Sequence, residues 1–150
     1  MNTRDHVASQ RQQLRRAQRL AYRSGSPIWW CNLAAFYAMG EGCDADPVRA
    51  RTWYQKAARA GDARGLYELG FMYLTGEGGP RHAALGRSLL IRAASQDEID
   101  ALKVLAHGFA TGAWGFAASK ARAEAIRRRL RRALKQARRQ RASRPRTPDS

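Results

Sequence analysis

The middle of this chain repeats itself. A shift of 36 residues lays Leu33 on Leu69 and Leu105, Tyr37 on Tyr73 and Phe109, and Gly40 on Gly76 and Gly112. Ala34, Gly70 and Ala106 share a column; so do the pairs Ala57-Ala58 and Ala93-Ala94, and Gly42 with Gly78. No insertion is needed to hold the register across these matches. A period of this length marks stacked supersecondary units, none of which can bury its apolar face alone.

Each period is helical twice. Leu66, Leu69, Met72 and Tyr73 recur at spacings of three and four, which puts them on one helix face. The run Thr75-Gly76-Glu77-Gly78-Gly79-Pro80 then stops that helix. A second stripe follows in Leu85, Leu89, Leu90 and Ala93-Ala94. The same reading places earlier helices near 27–39 and 46–60, with Pro27 and Pro47 suited to a first helical turn. Small residues in fixed columns (Ala34 and Gly70, Ala57 and Ala93) let neighbouring backbones approach closely. Gly25 lies one period before Gly61, so residues 5–24 fall in the slot of a second helix. Their apolar content is thin (Val7, Leu14, Ala17, Leu20, Ala21), as in a degenerate cap. The expected architecture is all-α: a short α-solenoid of helix-turn-helix repeats, with seven helices. Its parts are a cap helix in 1–25, repeats at 26–61, 62–97 and 98–141, and a disordered tail at 142–150.

The segments LYELGFMYLTGEG (66–78) and PVRARTWYQKAARAGDARG (47–65) resemble the Sel-one-like repeat (SLR) family, a tetratricopeptide-type helix-turn-helix repeat. Repeat one reads LAAFYAMGEG and then ARTWYQKAARAG; repeat two reads LGFMYLTGEG and then GRSLLIRAASQ, without the Trp and Tyr. Repeat three keeps LAHGFATG before a divergent helix, ARAEAIRRRL. The resemblance implies a non-enzymatic protein–protein interaction module in a bacterial setting: an adaptor, a pathway regulator or an immunity protein that masks a toxin.

Charge is distributed unevenly over this plan. The net charge is +16, yet residues 26–118 carry nine basic and nine acidic residues. Residues 1–25 hold six arginines against one aspartate, and residues 119–150 hold thirteen basic residues against two acidic ones. The excess therefore belongs to the ends of the array and bears on partners, not on the fold. No apolar run approaches the roughly 20 residues of a membrane span. The opening MNTRDHVASQRQQLRR has no apolar stretch behind its charges, so neither membrane nor signal peptide is expected and the location is read as cytoplasmic. Two cysteines, Cys31 and Cys43, are too few for a disulfide scaffold or a four-cysteine zinc site.

Catalytic chemistry needs converging groups, and the pattern supplies none. His6, His82 and His107 fall in the cap, a loop and a repeat helix, with no shared spacing. His107 stands in the column of Phe71, where packing against a neighbouring helix explains it. Cys43 reads as a small buried hydrophobe. The GEG turns follow helix C-termini and carry Glu41 and Glu77, which suits helix stops and not phosphate cradles. Asp97, Glu98 and Asp100 sit where a helix begins, a favourable place for carboxylates. No catalytic residue, metal site or cofactor is expected.

Surface is what remains. Trp30, Leu66 and Leu102 stand one period apart, either as an apolar ladder along a binding edge or as wider core contacts. Trp29 occupies the column of Gly65 and Ala101, a tight packing site, and is read as a core filler or an exposed aromatic anchor. In the last helix, Ile126, Leu130, Ala133, Leu134 and Ala137 form an apolar stripe. Arg127, Arg128, Arg131, Arg132, Arg138, Arg139 and Arg141 lie mostly off it. Arg129 is expected in the column of Ala57 and Ala93, which only an unstacked end tolerates. A helix over 117–141 would be about 37 Å long, more than capping requires. The partner that asks for least is a protein with an acidic surface, met by a monomer; nucleic acid held through phosphate neutralisation is the alternative.

Overall fold

The computed structural model describes residues 3–143 of the chain. Its elements are α1 (Thr3–Ser24), α2 (Pro27–Met39), α3 (Pro47–Arg59), α4 (Ala63–Thr75), α5 (Ala83–Ser95), α6 (Ile99–Thr111), a 3₁₀ turn (Ala113–Gly115) and α7 (Lys120–Ala142). The described residues thus form seven α-helices without a strand, the α-solenoid expected from the repeat. Helices α2 to α6 are each 13 residues long. The flanking α1 and α7 run to 22 and 23 residues.

Local sequence sets these boundaries. Pro27 and Pro47 open α2 and α3, where the missing N–H costs nothing. Asp46 and Asp62 accept N-cap hydrogen bonds from the amides of Arg49 and Gly65, and His82 accepts one from Leu85 through Nδ1. The first helices α2, α4 and α6 all end on a left-handed glycine, Gly40, Gly76 and Gly112, with φ of 71°, 84° and 78°. The chain then doubles back: the amides of Asp46, His82 and Ser119 donate to the carbonyls of Tyr37, Tyr73 and Phe109 at 2.7, 2.8 and 2.7 Å.

That last series breaks the period. Asp46 and His82 follow their acceptors at nine residues, but Ser119 follows Phe109 at ten. The third connection holds one extra residue, absorbed by the 3₁₀ turn and the extended chain after it. Helix α7 therefore begins at Lys120 and not at 117, with Ser119 as its N-cap. Arg129 is displaced accordingly. With Ala50, Gly86 and Ala123 as matching core positions, Leu130 stands where Ala57 and Ala93 stand, and Arg129 continues the series Lys56 and Arg92. The expectation that Arg129 replaces the stacking alanine is corrected by that single residue. Helix α7 closes on the Ser143 C-cap, so residues 142–143 of the expected tail are ordered; 144–150 lie outside the described residues.

The core runs along the seams between consecutive helices and is made mostly of Leu and Ala with Tyr37, Tyr54, Met72 and Phe116, and no charged residue is buried among the described residues. Its tightest points are backbone contacts. A Cβ on Gly65 would lie 2.6 Å from the Ala57 Cβ and 2.9 Å from the Ala58 amide nitrogen. A Cβ on Gly86 would lie 2.7 Å from the Gly70 carbonyl oxygen. Gly65→Ala should therefore lower stability although alanine is the better helix former. Overpacking costs about 1–3 kcal/mol against roughly 1 kcal/mol of propensity gained. Thermal melting followed by circular dichroism is expected to show a midpoint several degrees lower, with native helicity kept at low temperature.

Candidate interaction surfaces

The sequence-predicted site residues separate into core and surface. Leu66 and Leu102 are 1% and 0% exposed. Trp30 is half-buried, its Nε1 donating to the Ala21 carbonyl at 2.9 Å while Lys56 Nζ lies 4.5 Å from the ring. Leu66 and Leu102 are thus core residues, and Trp30 is tied to α1. Trp29 differs: its column partners Gly65 and Ala101 are buried, whereas Trp29 is half-buried beside α1 and lines a groove there.

Helix α7 is amphipathic as its pattern requires. Ala123 and Ala133 are buried, and Ile126, Leu130, Leu134 and Ala137 are half-buried along the side that packs on α6. Arg127, Arg128, Arg131, Arg132, Arg138, Arg139 and Arg141 are all exposed. They are not equivalent. Arg131 donates to Glu124 at 2.9 Å and Arg127 approaches the same carboxylate at 3.9 Å. The hydrogen bond from Arg131 holds the Glu124 carboxyl below the usual carboxylate range. Arg129 bonds the Asp97 carboxylate at 2.6 Å and the Ser95 carbonyl at 2.8 Å, which ties α7 to the α5–α6 turn. Among the described residues, no carboxylate pairs with Arg128, Arg132, Lys135, Arg138, Arg139 or Arg141. Arg128 and Arg132 border two shallow hollows of about 410 and 300 Å³.

Two turn positions show why repeat three diverges. Gly25 and Gly61, with φ of 63° and 82°, are followed one period on by Asp97 at φ 60°. An L-residue in this region is strained unless the surroundings hold it, and Arg129 does so. Gly42 and Gly78, at 76° and 70°, are followed by Trp114 at 53°. A Cβ on Gly42 or Gly78 would strike the backbone of the preceding second helix, at 2.8 Å from Gln10 or 2.2 Å from Pro47. At Trp114 the neighbour from α5 is Arg87, which donates to its carbonyl at 2.9 Å. The indole turns back to Phe71 and His107, with ring centroids 6.4 and 5.4 Å away. His107 accordingly sits exposed against this loop and not against a neighbouring helix. Trp114 escaped the sequence reading, although a bulky residue in an otherwise glycine column was its visible signal.

His82 serves as an N-cap, and no group of three His, Cys, Asp or Glu side chains among the described residues is placed to hold a metal. Cys31 and Cys43 are both free thiols. Cys31 is 1% exposed and donates to Asp62 at 3.3 Å. Burial first, and then the Asp62 charge, push its ionisation far above the usual thiol range. Cys43 is half-buried, less enclosed than the sequence reading held, and its thiol is also raised, mainly by burial.

The described residues thus form an all-α solenoid of paired helices with exposed arginines on the helices at both ends. Comparison with known proteins agrees. The Sel1 repeat family matches residues 31–62 and 63–98, so the chain carries two Sel1 repeats. A Sel1 repeat protein from Oxalobacter formigenes is 28% identical, with a TM-score of 0.74 over 80% of this chain and 49% of its own. The protein c5321, a protective antigen in uropathogenic Escherichia coli strains with an SLR fold, gives the same TM-score at 24% identity, over 82% and 26% of the two chains. The chain therefore spans less than half the length of either structure. No curated protein sequence matches it. The chain thus carries two Sel1 repeats and is similar in fold to solved Sel1 repeat (SLR) proteins.

Thiol accessibility checks the packing of the first repeat. Alkylation of the folded protein at mildly alkaline pH should label Cys43 well before Cys31, and denaturant should equalise the two. Equal labelling in the folded state would contradict the seam around Cys31.

Proposed function

We propose that this chain is a non-enzymatic adaptor or regulator that docks an acidic protein surface on its basic terminal helix. Sel1 repeat proteins are generally protein–protein interaction modules and non-catalytic scaffolds, which supports the coarse reading. The observation that carries the finer one is the set of arginines on α7 without carboxylate partners, above all Arg128 and Arg132 beside their two hollows. A guanidinium already satisfied by Glu124 or Asp97 offers little to a partner. An unpaired one is free to make a bidentate contact with a carboxylate. Helix α7 lacks aromatic side chains for base stacking, so an acidic protein fits better than nucleic acid. The likeness to bacterial proteins supports a bacterial setting for this reading, with the chain as adaptor, regulator or immunity protein.

Arg128→Glu/Arg132→Glu tests the reading, since both side chains are exposed and the helix should form unchanged. An acidic helical peptide and a random-sequence DNA duplex serve as probes, each titrated at low and high salt. The peptide should bind the wild-type protein and lose about tenfold in affinity to the variant, chiefly through its association rate. Tighter duplex binding that falls steeply with salt and disappears in the variant would replace this proposal with the nucleic-acid reading.

A further inference from the structure

We infer that the hollow where α3, α4 and α5 meet takes an aromatic side chain of a partner protein, presented between acidic residues. Its volume is about 250 Å³. Leu69, Tyr73, Leu85 and Leu89 line it, with Arg59 and Arg92 beside them and no carboxylate among the lining residues. An apolar cavity of about 150 Å³ accepts benzene, so one ring has room here. Tyr73 is held in place by the Arg51 guanidinium, 4.0 Å from its ring centroid, and by the His82 ring at 6.4 Å.

The neighbouring repeat shows what this place lacks. One period earlier, between α1 and α3, Tyr22 meets Trp53 edge to face with ring centroids 5.1 Å apart. Ala58 and Leu89 stand in their columns at the hollow. The cations follow the same comparison. Lys56 Nζ lies 4.5 Å from the Trp30 ring and 5.3 Å from the Trp53 ring. One period on, Arg92 takes the column of Lys56, while Leu66 and Leu89 take those of the two rings. The third member of the series, Arg129, bonds the Asp97 carboxylate and the Ser95 carbonyl. Among the described residues, Arg92 alone of these three has neither an ionic partner nor an aromatic one.

A ring from a partner supplies both missing parts. It fills the space that Tyr22 and Trp53 fill one period earlier, and it gives Arg92 the aromatic face that Lys56 already has. Charge then selects what flanks the ring. Arg59 and Arg92 are both exposed, and neither is in an ion pair among the described residues. Two such guanidinium groups with no carboxylate between them favour acidic residues on either side of the aromatic anchor. This surface is built by α3, α4 and α5, so it does not rest on the reading of the terminal helix.

The probe is a fluorescein-labelled peptide with one tryptophan between pairs of glutamates, titrated against the full chain by fluorescence anisotropy. One control peptide carries alanine in place of the tryptophan; another carries lysines in place of the glutamates. The tryptophan–glutamate peptide should bind and should shift the methyl resonances of Leu85 and Leu89. Arg59→Glu/Arg92→Glu and Leu85→Glu should each weaken it about tenfold. All three side chains are exposed, so circular dichroism should show both variants folded. Arg128→Glu/Arg132→Glu should leave this affinity unchanged, which separates the hollow from the terminal helix. The inference fails if the peptide does not bind, if either control binds as tightly, or if the α7 variant loses binding while the other two keep it.

Discussion

Helix α4 meets α3 through a glycine. At Gly65 a methyl group would come within 2.6 Å of the Ala57 Cβ, so the two helices touch at their backbones. The next seam repeats the arrangement with Ala101 and Ala93, both 0% exposed. Close approach through small residues lets five helices of equal length stack without large side chains between them, and larger leucines such as Leu66, Leu90 and Leu102 fill the flanks. The ends of the array lie where this contact is lost. At one end Trp29 stands in the Gly65 column and lines a groove; at the other, Leu130 stands in the Ala57 column on α7, the last helix among the described residues.

Much of this was legible before any coordinates. The period, the helix pairs and the glycine stops are short-range signals, and α2 and α3 fall within a residue of the limits read from Pro27, Pro47 and the apolar spacing. The misreadings share one cause: they concern how helices meet, which a single column of residues does not specify. Of the two readings open for Trp30, Leu66 and Leu102, burial selects the core contact for Leu66 and Leu102. The column of Arg129 slipped because one extra residue in the third connection has no composition signature. Only the hydrogen bond from Ser119 to Phe109, set beside its two counterparts, reveals it. Trp114 was visible as a bulky residue among glycines, but the hydrogen bond its carbonyl accepts from Arg87, 27 residues away, was not.

Charge and fold are separable in this molecule. The stacked middle is electrically balanced, and its few ion pairs are exposed ones that contribute little to stability. The excess arginines sit on α1 and α7, where stacking makes fewer demands on the outward face. Some of that charge is structural: Arg129 secures the strained turn at Asp97, and Glu124 engages Arg127 and Arg131. Among the described residues, the other arginines of α1 and α7 form no ion pair. Two basic ends on a neutral body make a scaffold whose electrostatic contacts can change without disturbing the core.

The central claim is that the fold resides in the neutral stack of α2 to α6, with the basic helices as attachments at its ends. Native-state hydrogen exchange measures this directly, because it reports the opening free energy of each helix separately. The account predicts that amides in α3, α4 and α5 exchange only through global unfolding. Those of α1 and of α7 beyond Ala133 should open at clearly lower free energy, in separate steps. Uniform protection from α1 through α7, lost in one transition, would contradict it.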